Sequence, residues 1–192
     1  MKFIMIFGPQ ASGKMTIGGK VADAFKLPLL YNHVTLDVVW PYIGWNDTTF
    51  KLSEQLRMGI FNHIADEENH PGIVFTFVWD FSSEEDREYV DSIRELFNKS
   101  HQKMYFVELE ADIEERLIRN ETEYRLSKKP SKRNIEFSRQ ELLHSAENHR
   151  LNSNPGEVAA EHYLKIDVTH LTADESASEI IDWIYALEQT VD

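Results

Sequence analysis

Five short apolar runs divide the chain: KFIMIF (2–7), LLY (29–31), GIVFTFVW (72–79), KMYFVEL (103–109) and HYLKIDV (162–168). Each is three to eight residues long and nearly continuous in its apolar character. That is the pattern of a strand buried on both faces of a parallel sheet. Helical periodicity fills the intervals. From Gly13 to Phe25 the apolar positions Ile17, Val21, Ala24 and Phe25 share a face, and TLDVVW (35–40) predicts one or two turns stopped by Pro41. Thr48 or Thr49 is placed to cap a helix carrying Leu52, Leu56, Ile60 and Ile64 at a spacing of four. Ser82 or Ser83 would cap an acidic helix running to about Asn98. A helix starting near Asp112 is interrupted by SKKPSKRN and resumes through EFSRQELLHSAENH, and Ala173 to Leu187 closes the chain with Ile180, Ile181, Ile184 and Leu187 inward. Strands alternating with helices predict an α/β fold around a mainly parallel sheet.

The first strand runs into FGPQASGKMT (7–16), nearly a Gly-x-x-x-x-Gly-Lys-[Ser/Thr] loop: Gly8, Gly13 and Lys14 fit, Met15 replaces the hydroxyl, and Thr16 follows one residue late. By chance alone such a match arises roughly one time in 20 in a chain of this size. The strand before it and the helix after it are the context the motif requires. The physical case is direct: glycines turn backbone N–H groups inward, the helix N-terminus adds partial positive charge, and Lys14 reaches the outer phosphates.

Composition narrows the reading. The 192 residues suit one domain with a sizeable core. Without cysteine there are no disulfides or thiolate-metal sites. The leading apolar run is shorter than a signal-peptide core, and no segment approaches a membrane span, so the expectation is a soluble, cytoplasmic protein with no membrane partner. A net charge of −13 argues against nucleic acid. Residues 116–139 nevertheless hold eight of the 20 Lys/Arg (Arg116, Arg119, Arg125, Lys128, Lys129, Lys132, Arg133 and Arg139) against three acids, an excess suited to a small bound anion.

The loop resembles that of the adenylate-kinase group of P-loop kinases, whose Gly-x-Pro-Gly-x-Gly-Lys-Gly-Thr pattern also lacks a hydroxyl directly after Lys and keeps Thr one residue later. Ala11 stands for its middle Gly and Met15 for its Gly after Lys. Shikimate and gluconate kinases share the fold but keep Ser or Thr after Lys. The resemblance implies a three-layer α/β/α P-loop NTPase fold with a five-stranded parallel sheet and a helical lid, in one domain over 1–192, with an acceptor segment at about 32–70 and the lid at about 119–150. It implies ATP and magnesium as cofactors. Gly8, Pro9, Gln10, Ala11, Ser12, Gly13, Lys14, Met15 and Thr16 would cradle the phosphates, with Thr16 at the α-phosphate. Arg119 would pack on the adenine, and Arg125 and Arg133 would reach the transferring phosphate. Magnesium would be held largely through water, with Thr16 and Asp80 ordering those waters; Asp80 could equally cap the following helix.

Kinases of this kind acting on small hydroxyl compounds carry an Asp-x-Asp pattern after strand two. Here the stretch reads LYNHVTLD, placing Asn32 and His33 where the acids would be. His33 is a candidate acceptor contact or base, and Asp37 the competing base; the alternatives are a backbone-bonded His33 and a helix-favouring Asp37. Arg57 would bind an acceptor anion or pair with Glu54 or Asp47. Trp40, Tyr42, Trp45 and Phe50 would wall an acceptor pocket or join the core, Trp40 the more core-like. The resulting expectation is an ATP-dependent phosphotransferase acting on a hydroxylated metabolite or antibiotic, as monomer or homodimer. Its alternatives are a nucleoside monophosphate kinase, although VWDFSS does not match the Asp-Gly-Phe-Pro-Arg stretch of adenylate kinases, and a non-catalytic ATP-binding module.

Overall fold

The computed structural model describes residues 1–100, 102–122 and 134–189. Its elements are β1 (Lys2–Phe7), α1 (Lys14–Phe25), β2 (Leu29–Tyr31), α2 (His33–Ile43), α3 (Asp47–Asp66), β3 (Gly72–Phe77), α4 (Glu84–Lys99), β4 (Lys103–Glu110), α5 (Ile113–Asn120), α6 (Ile135–Asn148), β5 (Tyr163–Asp167) and α7 (Ala173–Gln189). All five apolar runs are strands. They form one parallel sheet in the order β2-β3-β1-β4-β5, with Ile4 opposite both Val74 and Tyr105.

Alternation along β1 divides the core. Ile4 and Ile6 face Ile17, Val21, Ile180 and Ile184 of α1 and α7. Phe3, Met5 and Phe7 face Phe61 and Ile64 of α3 and Val90, Ile93 and Phe97 of α4. Successive strand side chains point to opposite faces, so a strand clothed on both sides must be apolar throughout. The result is three layers, helix on sheet on helix. Phe3 meets the edge of Phe61 with ring centroids 5.5 Å apart. Among the described residues no helix is long and apolar enough to cross a membrane.

Four helical expectations are corrected. The run at 35–40 belongs to a longer helix, α2, with Pro41 inside it; Gly44 ends it, at φ 76, by donating to Trp40 O at 2.8 Å. Pro41 lies in the last turn, where its missing N–H removes a single helix bond and little helix remains to be broken. On α3 the predicted apolar stripe mostly faces outward: Leu52, Leu56 and Ile60 are exposed, and of that set only Ile64 is buried. The inward face is Thr49, Ser53, Arg57 and Phe61, also spaced by four. It is largely polar because it packs on α2, where Thr35 and Ser53 share a buried hydroxyl–hydroxyl bond of 2.6 Å. The α3 cap is Asn46, whose Oδ1 accepts from Thr49 N at 3.1 Å, rather than Thr48 or Thr49. On α1, similarly, Ala22 is buried and Ala24 exposed. At α4 Ser83 is the cap, accepting from Asp86 N at 3.2 Å.

The two faces of α3 give opposite expectations in denaturant unfolding. Phe61→Ala, at a fully buried position, should cost about 3–5 kcal/mol. Leu56→Lys should stay within about 0.5 kcal/mol of wild type; a loss comparable to that of Phe61→Ala would mean that Leu56 is covered.

Candidate functional site

The loop between β1 and α1 is shaped by three residues with positive φ: Gly8 at 141°, Ala11 at 63° and Gly13 at 96°. A Cβ at Gly8 would lie 2.3 Å from Leu109 O, inside the neighbouring strand, so no side chain fits there. Ala11 holds a left-handed conformation that costs a non-glycine residue about 1–2 kcal/mol. It stays there because the residue is enclosed, at 7% exposure. Lys14 turns back over the loop, its Nζ donating to Gly8 O at 2.7 Å and Pro9 O at 2.6 Å. Ser12 is fully buried, and its Oγ meets no hydrogen-bond partner among the described residues. An ammonium folded over the loop, a hydroxyl in want of a partner and glycine-permitted turns at the start of a helix form a cradle suited to phosphate.

The helices after β4 brace this cradle. Arg116 of α5 is buried and donates from Nε to Gln10 O at 2.8 Å; burial lowers its pKa to about 10. Gln10 reaches the other way, its Nε2 donating to Ser145 Oγ of α6 at 2.9 Å. Arg119, one turn beyond Arg116, donates from Nη2 to Val168 O at 2.7 Å and from Nε to Glu115 at 2.8 Å. Arg119 therefore stands between the loop and the segment after β5. That segment is stiffened by a capping box: Thr172 N donates to Glu175 Oε2 at 2.8 Å and Glu175 N to Thr172 Oγ1 at 3.2 Å.

A cavity of about 860 Å³ opens over the cradle, within the range of small-molecule sites. Gln10, Ala11 and Gly13 to Thr16 floor one end, with Arg119 and Leu171 to Ala173 beside them. Tyr31, Asn32, His33, Leu36, Trp45 and Phe50 line the other. Asn32 occupies the N-cap position of α2, yet its side chain makes no cap bond. Its Oδ1 instead accepts from Arg57 Nη1. Because guanidinium can only donate, this fixes the amide orientation and leaves the NH2 as what Asn32 offers elsewhere.

Arg57 is 3% exposed and does not line the cavity; it donates from Nε to Tyr89 OH at 2.9 Å and lies 3.9 Å from Glu54. Asp37 is likewise outside the cavity lining, accepting from Trp40 Nε1 at 3.2 Å. Trp40 is half-buried, stacked on Trp45 with centroids 5.5 Å apart, and Tyr42 is exposed. Asp80 also lies away from the cradle. It accepts from Ser82 N at 2.9 Å, Arg150 N at 3.2 Å and His149 Nδ1 at 2.6 Å. Burial alone would raise its pKa, but those donors hold it below the ordinary value. Asp80 thus fastens the end of α6 to the loop after β3, and the fully buried Glu108 does the same one strand over, accepting from Ser153 N at 2.9 Å and Tyr163 OH at 2.6 Å. Arg125 and Arg133 lie outside the described residues.

The phosphate-loop residues, Arg119, Asn32 and His33 are brought together; Arg57, Asp37 and Asp80 are not. Sequence reasoning had given no individual role to Arg116, Gln10's link to α6 or the Leu171–Ala173 wall. Available signals were the i,i+3 spacing of Arg116 and Arg119 and the Thr-x-x-Glu box at 172–175. Among the described residues no cluster of three or more metal-ligating side chains is present.

Asp86 gives a test of the charges beside Arg57. Burial raises its pKa to about 6, and Asp80 and Glu54 add repulsion, partly offset by the Asp80 N–H and Arg57. A carboxylate raised in the folded state costs stability as pH climbs from its ordinary value through the raised one, and costs nothing below both. Asp86→Asn should therefore raise the thermal midpoint at about pH 7.5 and leave it unchanged at about pH 4; an equal shift at both would remove the titration from the explanation.

No family model matches the chain, and no curated protein does. Solved structures do. A gluconokinase from Sinorhizobium meliloti superposes with TM-score 0.62 at 18% identity, covering 99% of this chain and 95% of that one. An APS kinase from Mycobacterium tuberculosis, in complex with AMPPNP and APS, gives TM-score 0.62 at 14% identity, covering 96% and 97%. A shikimate kinase from Acinetobacter baumannii, in complex with shikimate, gives 0.51 at 16%, covering 96% and 93%. With its five-stranded parallel sheet between helical layers and its glycine-bounded loop after β1, the chain has the α/β/α fold of the P-loop kinases.

Proposed function

We propose that this protein is an ATP-dependent phosphotransferase that moves the γ-phosphate to a hydroxyl of a small molecule. The observation that carries the reading is the continuity of one cavity from the Gly13–Thr16 cradle to Asn32 and His33, so that a nucleotide's outer phosphate and a second ligand would meet inside it. The neighbours' kinase activities, and the AMPPNP bound to one of them, support it.

On this reading the N–H groups from Gly8 to Lys14 surround the β- and γ-phosphates. Lys14 exchanges its two carbonyl partners for phosphate oxygens, and Thr16 lies at the α-phosphate. Arg119 and the Leu171–Ala173 wall hold the base. Arg125 and Arg133 neutralise the transferring group, the lid helices exclude water, and transfer outruns hydrolysis. His33 lines the cavity and is favoured over Asp37 as the group that receives the acceptor's proton. Magnesium would supply charge neutralisation on the phosphates. Thr16 is placed to order its waters, and Asp80 would do so only after leaving its His149 and Arg150 partners.

Lys14→Ala should lower ATP affinity in calorimetry, or turnover measured as ADP release, by about 10²–10³-fold, with the circular dichroism spectrum and thermal midpoint unchanged. Unchanged ATP binding and turnover would reject the loop as the nucleotide site. Tight binding without ADP release over a broad acceptor panel would leave a regulatory module.

A further inference from the structure

Resting on that reading, we infer that the acceptor is a hydroxyl compound with an aromatic or otherwise apolar body and no carboxylate or phosphate of its own.

The first argument is what the second-ligand end of the cavity is made of. Trp45 and Phe50, at the junction of α2 and α3, line it, and Phe137 of α6 lines the same cavity, yet they are 48%, 49% and 59% exposed. Three large rings from two separate regions of the chain thus present uncovered apolar surface to one space. The surface is also pre-arranged: Trp45 stacks on Trp40 at an interplanar angle of 10°, and Phe50 lies 6.1 Å from Trp45. A flat apolar ligand would cover these rings with little reordering, and the gain scales with the apolar area removed from water.

The second argument is charge. Lys14 and Arg119 are the described cations lining the cavity, and both stand at the phosphate-loop end. Arg57, bonded to Asn32 at the acceptor end, is buried with its donors directed at Asn32 and Tyr89. Its geometry makes it a positioning residue for Asn32. Glu115, paired with Arg119, and Glu141 also line the cavity and add no positive charge to it. A carboxylate or phosphate drawn out of water needs a charged partner, and the lid arginines are assigned to the transferring phosphate. Among the described residues, what remains for the acceptor is hydrogen bonding from neutral groups, the Asn32 NH2 and the Thr76 and Tyr31 hydroxyls, which suits a hydroxyl.

The test is calorimetry on the full chain with AMPPNP present, using 2-phenylethanol and tyramine as neutral and cationic aromatic probes and gluconate and AMP as anionic ones. The aromatic probes should bind at least about tenfold more tightly than the anionic ones. Trp45→Ala and Phe50→Ala should each weaken the aromatic probes about tenfold while AMPPNP affinity stays within about twofold. Two variants, one in the loop before α3 and one within α3, keep the test intact if one of them folds poorly. Tighter binding of gluconate or AMP, no binding of either aromatic probe up to about 10 mM, or aromatic affinity indifferent to both substitutions would overturn the inference. The kinase reading fails separately, when the aromatic probes bind as stated but AMPPNP does not bind or no ADP is released from ATP.

Discussion

A carbonyl oxygen, Leu109 O, lies where the side chain of residue 8 would otherwise be. The candidate site follows from that close approach. Parallel pairing holds β1 against β4, with Phe7 opposite Glu108, and the chain leaves the sheet at Gly8 by way of a φ that side chains rarely tolerate. Gly13 turns it again into α1. The intervening backbone has no room for relaxation, so Ala11 is kept left-handed and Ser12 is buried with its hydroxyl unspent. β1 is the central strand, and its connection departs toward β2 while β4 leads the other way to β5. The loop thus sits where α/β sheets bind ligands, at the carboxyl ends of strands whose connections diverge.

The loop is also held from above. Arg116 grips the Gln10 carbonyl, the Gln10 side chain reaches Ser145, and Arg119 ties α5 to the segment after β5. These bonds join the cradle to both helices that flank 123–133, so a change in the angle of α5 or α6 is transmitted to the backbone that would hold phosphate. Asp80 and Glu108 fasten the segment after α6, at Arg150 and Ser153, to the loop after β3 and to β4. The cradle is thus braced by named polar contacts from α5 and α6.

Much of this was legible in the sequence, for physical reasons. A strand buried on both faces has to be a continuous apolar run, and KFIMIF and GIVFTF could be little else. The loop was legible because its chemistry is local. The face of α3 was not, because spacing by four occurs twice in it, once in Leu52, Leu56 and Ile60 and once in Ser53, Arg57 and Phe61, and only the partner helix α2 decides between them. Asn32 stood where an acceptor-binding acid would be; the structure gives its carbonyl to Arg57, a partner 25 residues distant. Arg119 was singled out for the nucleotide and Arg116 was given no role of its own; only burial shows Arg116 to be the brace and Arg119 the residue lining the cavity.

The central claim is that a nucleotide sits with its phosphates on the Gly8–Thr16 loop and its base toward Leu171–Ala173. Its most direct test is the backbone amide spectrum of the isotope-labelled protein titrated with AMPPNP. The account predicts saturable shifts that are largest at Gly8 to Thr16, with a second group at Leu171 to Ala173 and Arg119. Saturable shifts centred elsewhere, with the loop amides unmoved, would contradict it.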